Sequence, residues 1–416
     1  MKKSVWPSEI HGEIDAPASK SAMQRALALA LLSRQPSRIT NPAFCSDGLA
    51  AMRVVERLGG NLRRFSDAVE IMGRTKPKGG ELHCGESGLC LRMFTAVAAL
   101  EDSEFRLTGD ESLLRRPVSM VEEPVKKLGA ECRTNRGLPP VHVKGPLQGG
   151  RAVIDGSISS QFVSGLLLAL PLAPRDSRLT VHGLTSIPYV DLTLRLMEKA
   201  GVKINHENHK TFFISGNREY ALGTMRIPGD WSGAAFWLAA GAVSGPVTVN
   251  GLDPRSPQGD RMIIRALRAA GAEVRILTNA VRIRRGELKG FDFDVRGCPD
   301  LVPPLTVAAC FCRGRTVLRG IRRLRYKESD RPQALFRAFR DLGADIRVQG
   351  DEMIIRGGEL NGGEVDAVGD HRIAMALAVA AVHAREKVVI RSGDSVVKSY
   401  PGFYRDLAKL GGRVDE

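Results

Sequence analysis

The 416-residue chain has few aromatic residues, no paired cysteine motif and no long apolar run. Aromatic residues make up only 5% of the sequence, which leaves few rings on which nucleic-acid bases could stack. The seven cysteines include no CxxC pair, so we expect reduced thiols of a cytoplasmic protein rather than disulfides or metal ligands. No apolar run reaches about 18 residues, so no membrane-spanning helix is expected. No metal or cofactor motif is present.

Positive charge, by contrast, is plentiful. The formal net charge is +15, within a composition that is otherwise that of an ordinary globular protein. This excess predicts an acidic partner, either nucleic acid or an anionic small molecule. Lysine and arginine are spread along the chain rather than concentrated in a tail, which favours the small molecule. Non-catalytic RNA binding remains the alternative from another functional class.

A short sequence motif that ends in glycine recurs six times. The glycines are Gly59, Gly129, Gly201, Gly271, Gly343 and Gly411. Successive intervals are 70, 72, 70, 72 and 68 residues, which indicates one supersecondary unit repeated six times. Each glycine follows an amphipathic helical pattern, as expected for a left-handed C-cap. A strand pattern follows, most clearly over 273–276 and 345–348.

Each repeat also contains a more apolar helical pattern. The six patterns cover residues 19–32, 86–100, 159–172, 230–243, 300–312 and 370–383. Each opens with serine, aspartate or glutamate, which can cap the free N–H groups of a first turn. A second helix opens near residues 46, 116, 189, 258, 329 and 400. Helices that start near a common centre would direct several positive dipole ends at phosphate or carboxylate groups.

Ionic residues cluster at these helix starts. Lys20, Ser21 and Arg25 share one start, and residues 325–331 combine acids with several cations. Taken singly, each has an ordinary explanation as a solvated lysine, a surface ion pair or a helix cap. Their placement at equivalent points of successive repeats favours a functional role.

Together these stretches resemble the EPSP synthase (3-phosphoshikimate 1-carboxyvinyltransferase) family over essentially the whole chain. The resemblance is carried, in order, by Ala18-Ser19-Lys20-Ser21 with Arg25, Gly85-Glu86-Ser87-Gly88 with Arg92, Arg116-Pro117, Gly156–Phe162, Ser186–Asp191, Gln258-Gly259-Asp260, Lys327–Arg331, Asp370-His371-Arg372 and Lys398–Pro401. Any one of these motifs is weak evidence, but nine in order at fitting intervals are strong.

The resemblance implies an α/β fold of two similar inside-out α/β barrel domains, each of three βαβαββ repeats. The first domain is expected over 13–226, on the shikimate 3-phosphate side. The second is expected over 1–12 and 227–416, with phosphoenolpyruvate and the acid and base residues. The implied reaction transfers the enolpyruvyl group of phosphoenolpyruvate to the 5-hydroxyl of shikimate 3-phosphate, with no cofactor. A cytoplasmic monomer is expected, with neither nucleic acid nor membrane as a partner.

The resemblance also implies roles for individual residues. The expected phosphoenolpyruvate contacts are Lys20, Gly88, Arg116, Gln161, Arg331, Arg372 and Lys398. The expected shikimate 3-phosphate contacts are Lys20, Ser21, Arg25, Ser159, Ser160, Gln161, Ser186, Tyr189, Asp300 and Lys327. Asp300 resembles the base at the target hydroxyl and Glu328 the proton donor, while Lys20 assists proton movement. The alternatives are a helix cap for Asp300 and a plain ion pair with Lys327 for Glu328.

Three positions depart from the family pattern: Glu86, Leu89 and Arg323 stand where better-known members carry Asn, Thr and Asn. We expect altered affinities and an altered response to glyphosate, but the same reaction. The sister carboxyvinyltransferase that acts on UDP-N-acetylglucosamine carries a cysteine in a loop of its first domain. Residues 112–118 contain none, and Lys20-Ser21 also favours the shikimate enzyme.

Overall fold

The computed structural model describes residues 1–415 and divides the chain into two compact units. One unit is Lys20–Ile227, here called the continuous unit. The other combines Met1–Ser19 with the chain from Pro228 onward, and is called the discontinuous unit. No helix among residues 1–415 is both long and apolar enough to cross a membrane.

The helices and strands follow in chain order. The discontinuous unit begins with β1 (Lys3–Trp6) and β2 (Gly12–Asp15). The continuous unit contains α1 (Lys20–Leu32), β3 (Ser37–Thr40), α2 (Ser46–Arg57), β4 (Gly60–Arg64), β5 (Ala68–Arg74), β6 (Gly80–His83), α3 (Gly88–Ala98), β7 (Glu104–Thr108), α4 (Glu111–Leu114), α5 (Glu122–Lys127), β8 (Glu131–Asn135), β9 (Leu138–Lys144), β10 (Gly150–Asp155), α6 (Gln161–Ala169), β11 (Ser177–His182), α7 (Ile187–Lys199), β12 (Asn205–Glu207), β13 (Thr211–Ile214) and β14 (Thr224–Arg226). The discontinuous unit resumes with α8 (Trp231–Val243), β15 (Val247–Asn250), α9 (Ile263–Ala269), β16 (Glu273–Ile276), β17 (Ala280–Arg284), β18 (Asp292–Asp294), α10 (Val302–Cys310), β19 (Arg315–Arg319), α11 (Arg331–Asp341), β20 (Asp345–Gln349), β21 (Glu352–Arg356), β22 (Gly363–Asp366), α12 (His371–Ala381), β23 (Val388–Arg391), α13 (Phe403–Lys409) and β24 (Arg413–Asp415). Short 3₁₀ turns cover Ser119–Val121, Leu170–Leu172, Gly259–Met262, Pro299–Leu301, Arg322–Tyr326 and Gly393–Lys398.

Residues 1–415 form six four-stranded sheets of closely similar design. The strand orders are β14-β3-β5-β4, β6-β7-β9-β8, β10-β11-β13-β12, β16-β17-β15-β2, β18-β19-β21-β20 and β22-β23-β1-β24. In the second sheet β6 pairs parallel with β7 across α3, and β8 and β9 form an antiparallel hairpin that pairs with β7. A parallel pair needs such a crossover, whereas antiparallel strands need only a turn. The repeat predicted from the glycine spacing is therefore confirmed as a βαβαββ unit.

The apolar helices lie inside each unit and the sheets lie outside. Every residue of α3, α8, α10 and α12 is buried. The strands alternate between buried and accessible residues, as in β10 and β11, so one sheet face covers the helices and the other faces water. This arrangement confirms the predicted inside-out α/β fold class.

Strands that are distant in sequence complete three of the sheets. β14 pairs parallel with β3 in the continuous unit, and β2 pairs parallel with β15 in the discontinuous unit. β1 lies between β23 and β24 and is antiparallel to both. Residues 13–19, assigned to the first domain by the sequence prediction, therefore lie with the discontinuous unit, because β2 pairs with β15.

The six repeat glycines all have positive φ, between 86° and 105°, as predicted for residues that end a helix. In the second repeat, two helix starts differ from the sequence prediction. Ser87 rather than Glu86 caps α3, since its hydroxyl accepts from the Cys90 N–H. No helix begins at Arg116-Pro117, and the next regular turn is Ser119–Val121.

Candidate functional site

In the discontinuous unit, Arg331 brings three carboxylates together at the start of α11. Its side chain is only 1% exposed. Nε donates to Asp370 at 2.9 Å, Nη1 to Asp300 at 2.9 Å and Nη2 to Glu328 at 2.5 Å. Burial opposes the charged form of Arg331, but the carboxylates more than offset it and raise the pKa of the guanidinium. Arg331 is therefore a permanent cation at the centre of an acidic cluster.

Asp300 lies on the 3₁₀ turn Pro299–Leu301, directly before α10. Its carboxylate is 2.9 Å from Arg331 Nη1, 3.3 Å from Lys327 Nζ and 3.2 Å from Arg372 Nη2. Although burial acts in the opposite direction, the positive charges of Arg372, Lys327 and Arg331 hold the pKa of Asp300 well below its usual range. These ionic contacts, rather than a helix-capping contact, engage the carboxylate. Asp300 is thus held in its ionised form by the surrounding cations.

The other predicted residues of this unit lie beside the cluster. Glu328 lies three residues before Arg331, the first residue of α11, and its carboxylate accepts a hydrogen bond from that guanidinium. Arg372 is the second residue of α12, and Lys398 ends the 3₁₀ turn Gly393–Lys398. Lys398 Nζ donates to the Gly369 carbonyl at 2.6 Å. Four cations and two candidate proton-transfer carboxylates are therefore held on neighbouring turns of one unit.

In the continuous unit, Arg25 is buried on α1 among neutral groups. Its Nε donates to Thr193 Oγ1 at 2.7 Å, and its Nη atoms donate to the carbonyls of Ser21 and Tyr189 at 2.8 and 3.2 Å. The Ser164 hydroxyl accepts a further hydrogen bond. Burial lowers the pKa of Arg25 to about 10, so the side chain remains a cation at neutral pH. A buried guanidinium with only neutral partners favours binding of an anion.

Lys20 is the first residue of α1 and is paired with Asp47, at 2.9 Å between Nζ and Oδ2. Serines predicted to bind shikimate 3-phosphate lie at the starts of α6 and α7. Ser159 Oγ accepts from the Gln161 N–H at 3.2 Å, and Ser160 directly precedes α6. Ser186 precedes α7 with a left-handed φ of 52°. Tyr189 lies in the first turn of α7.

A second cationic group of this unit surrounds the start of α3. Arg92 Nη1 donates to Gln161 Oε1 at 2.7 Å, and Nη2 donates to the Pro117 carbonyl at 2.8 Å. A Cβ atom added at Gly88 would lie 2.8 Å from Arg92 Nη1 and 3.2 Å from Arg116 Nη1. The structure thus brings Gly88, Arg116 and Gln161 together, and glycine at position 88 leaves room beside the two guanidinium groups.

Several contacting residues were not among the predicted site residues: Asp47, Arg92, Ser164, Thr193, Asp260 and Asp370. Arg92, Asp260 and Asp370 did belong to the motifs that carry the family resemblance, and Asp47 opens a predicted helix. Ser164 and Thr193 could have been found as polar residues on otherwise buried helix faces. Asp260 is fully buried, and burial raises its pKa to about 6, with a further contribution from the charge of Asp300.

Comparison with known families identifies this arrangement. A profile of the family described as EPSP synthase (3-phosphoshikimate 1-carboxyvinyltransferase) matches residues 6–407. The chain belongs to the EPSP synthase family. The family match covers parts of both units and includes the cluster around Arg331 and the cationic groups around Arg25 and Arg92.

Individual EPSP synthase relatives are similar over their full length. The chain is 41% identical to a 3-phosphoshikimate 1-carboxyvinyltransferase from Aeropyrum pernix, with 99% of this chain and 96% of that protein aligned. It is 40% identical to the Methanocella arvoryzae protein of the same name, with both chains fully covered. A solved EPSP synthase from Acinetobacter baumannii covers both chains completely, with a TM-score of 0.84 and 26% identity.

The space at Gly88 leads to a first prediction. Gly88→Ala is expected to raise the KM for phosphoenolpyruvate about tenfold, because the new methyl group displaces the guanidinium groups of Arg92 and Arg116. Steady-state kinetics at saturating shikimate 3-phosphate measure this effect. Gly358→Ala is the control, since no atom lies within 4 Å of its added Cβ. An unchanged KM in the Gly88 variant would contradict the expectation that Gly88 contacts phosphoenolpyruvate.

Proposed function

We propose that this chain is a 3-phosphoshikimate 1-carboxyvinyltransferase. It transfers the enolpyruvyl group of phosphoenolpyruvate to the 5-hydroxyl of shikimate 3-phosphate, forming 5-enolpyruvylshikimate 3-phosphate and phosphate. The product lies on the route to chorismate and the aromatic amino acids. The observation that carries this proposal is the family match over residues 6–407, with 41% identity across 99% of the chain.

The lysine and arginine side chains gathered at the candidate site support the choice of substrates. Both substrates are polyanions, and guanidinium groups bind phosphates and carboxylates through paired hydrogen bonds. We assign Arg116, Gln161, Arg331, Arg372 and Lys398 to phosphoenolpyruvate, with Gly88 leaving space beside them. We assign Ser21, Arg25, Ser159, Ser160, Gln161, Ser186, Tyr189 and Lys327 to shikimate 3-phosphate. Lys20 contacts both substrates in this proposal.

The proposed chemistry needs one acid and one base. Glu328 donates a proton to the methylene carbon of phosphoenolpyruvate, and the cationic centre that develops at the enol carbon is attacked by the 5-hydroxyl. The ionised carboxylate of Asp300 accepts the hydroxyl proton in this proposal. Phosphate then leaves the enol carbon, and the Glu328 carboxylate takes back a proton from the new methyl group, which restores the double bond. The proton held by Asp300 leaves with the phosphate.

We also propose that the enzyme acts as a monomer in the cytoplasm. The seven cysteines are buried free thiols, which is consistent with a reducing compartment. Light scattering after size-exclusion chromatography measures the oligomeric state, and a mass well above 45.1 kDa would contradict the monomer.

The decisive experiment follows phosphate release from phosphoenolpyruvate with two acceptors in separate reactions. We expect release with shikimate 3-phosphate and none with UDP-N-acetylglucosamine. Release with the sugar nucleotide alone would show that the acceptor is wrong. No release with either acceptor from folded protein would refute the enzymatic function.

A further inference from the structure

Asp370, directly before α12, contacts the guanidinium of Arg331 and the backbone of Arg372, two of the residues assigned to phosphoenolpyruvate. Its side chain is fully buried. Oδ2 accepts from Arg331 Nε at 2.9 Å and from Ser329 Oγ at 3.0 Å. Oδ1 accepts from Arg331 Nη2 at 3.3 Å and from the Arg372 backbone N–H at 3.0 Å. One carboxylate thus fixes both the guanidinium plane of Arg331 and the backbone from which Arg372 extends.

The backbone directly before Asp370 contacts a third residue assigned to phosphoenolpyruvate, Lys398. Lys398 Nζ donates to the carbonyl of Gly369, the residue before Asp370. The turn is closed by a hydrogen bond of 2.8 Å from the Asp370 N–H to the Ala367 carbonyl. Arg331, Arg372 and Lys398 come from three separate segments of the chain, and they share contacts with residues 367–370. We call these four residues the 367–370 turn.

The backbone of the 367–370 turn has an unusual conformation. Val368 has a φ of 45°, which is rare for a β-branched residue. Its N–H donates to Asp366 Oδ1 at 2.7 Å, and this bond holds the conformation. Gly369 follows with a φ of 69°. Strained backbone persists where the surroundings impose it, and such positions concentrate at functional sites.

We propose that the 367–370 turn, with Asp370 as its main anchor, is the positioning element that sets the spacing of Arg331, Arg372 and Lys398 for phosphoenolpyruvate. This inference rests on the proposed function. A helix cap alone would explain only the contact between Asp370 and the Arg372 N–H. It would not explain the two hydrogen bonds to Arg331, or the bond from Lys398 to Gly369.

Asp370→Asn tests the carboxylate. The amide of asparagine places an N–H donor against the donors of Arg331, so the guanidinium loses its fixed orientation. We expect the KM for phosphoenolpyruvate to rise about ten- to a hundredfold, with the KM for shikimate 3-phosphate changed less than about threefold. Asp330→Asn is the matched control, because Asp330 caps α11 through the Gln333 N–H and is exposed. Both KM values of the control are expected to stay at the parental level.

Gly369→Ala tests the turn without removing a buried charge. The added Cβ has one near neighbour, Lys398 Nζ at 4.0 Å, and the residue keeps its strained positive φ. We expect a shifted carbonyl and a rise of about three- to tenfold in the KM for phosphoenolpyruvate. Gly350→Ala has a similar positive φ, 59°, with no atom within 4 Å, and controls for backbone strain alone.

The outcomes separate this inference from the proposed function. An inactive parent chain would refute the function itself. Active variants whose KM for phosphoenolpyruvate matches that of their controls would overturn the inference, as would equal rises in both KM values. If Asp370→Asn fails to fold, as judged by thermal unfolding, the comparison of Gly369→Ala with Gly350→Ala decides alone.

Discussion

Asp300→Asn is expected to lower kcat by about a hundred- to ten-thousandfold, the usual loss when a general base is removed. The asparagine amide cannot accept the hydroxyl proton, but it keeps the size of the carboxylate. Both KM values should therefore change much less than kcat, which identifies a loss specific to the transition state. The measurement is steady-state phosphate release, with thermal unfolding to verify that the variant is folded.

Asp294→Asn is the matched control for this variant. Asp294 lies six residues earlier, is 45% exposed and pairs with Arg296. Its replacement should leave kcat unchanged. If Asp300→Asn retained kcat within about threefold of the parent, Asp300 would not be the base.

Arg331→Gln should give the largest loss of stability, about 3–5 kcal/mol in the free energy of unfolding. The change leaves Asp300, Glu328 and Asp370 close together without the guanidinium that contacts all three. Urea unfolding measures the loss. Arg319→Gln is the control, because Arg319 pairs with Asp292 and Glu352 on the surface. There the loss should stay below about 1 kcal/mol.

The stability difference between the parent and Arg331→Gln should depend on pH. In the parent, the pKa of Asp300 is depressed, so its stabilising effect is present above the unfolded pKa of about 3.9 and disappears as pH falls through the folded value. The variant lacks the guanidinium that helps to hold Asp300 ionised, so the difference should be full at pH 7.5 and should shrink as pH falls below about 4. A difference that is independent of pH would contradict this electrostatic explanation.

The sequence predicts the repeats better than it predicts the contacts within them. Glycine spacing and apolar helices identify the βαβαββ unit, because both signals depend on local backbone geometry. The family resemblance placed β1 in the discontinuous unit but assigned most of β2 to the other unit, because no local pattern tells a strand which distant partner it will pair with.

The candidate site shows the same contrast between residues that the sequence predicts and contacts that it does not. Arg331, Arg372 and Lys398 were expected from family motifs, but their roles here remain proposals. The contacts made by Asp370 depend on three chain segments that meet only in the folded unit. Arg25 was predicted to bind substrate, yet its neutral partners Thr193 and Ser164 lie on other helices. Periodicity identifies such residues as buried, but it cannot say which side chains they meet.

The position of β1 between β23 and β24 has a consequence for synthesis on the ribosome. β1 is made before the continuous unit, yet the partners of its Val5, Val388 and Val414, are made only after that unit is complete. Residues 20–227 are complete long before that, so the continuous unit can fold first. Once residue 227 is made, β2 soon meets its partner β15, at residues 247–250. At about 5–20 residues per second, β1 waits on the order of ten to forty seconds longer for β23 and β24, with both of its edges unpaired and open to chaperone binding.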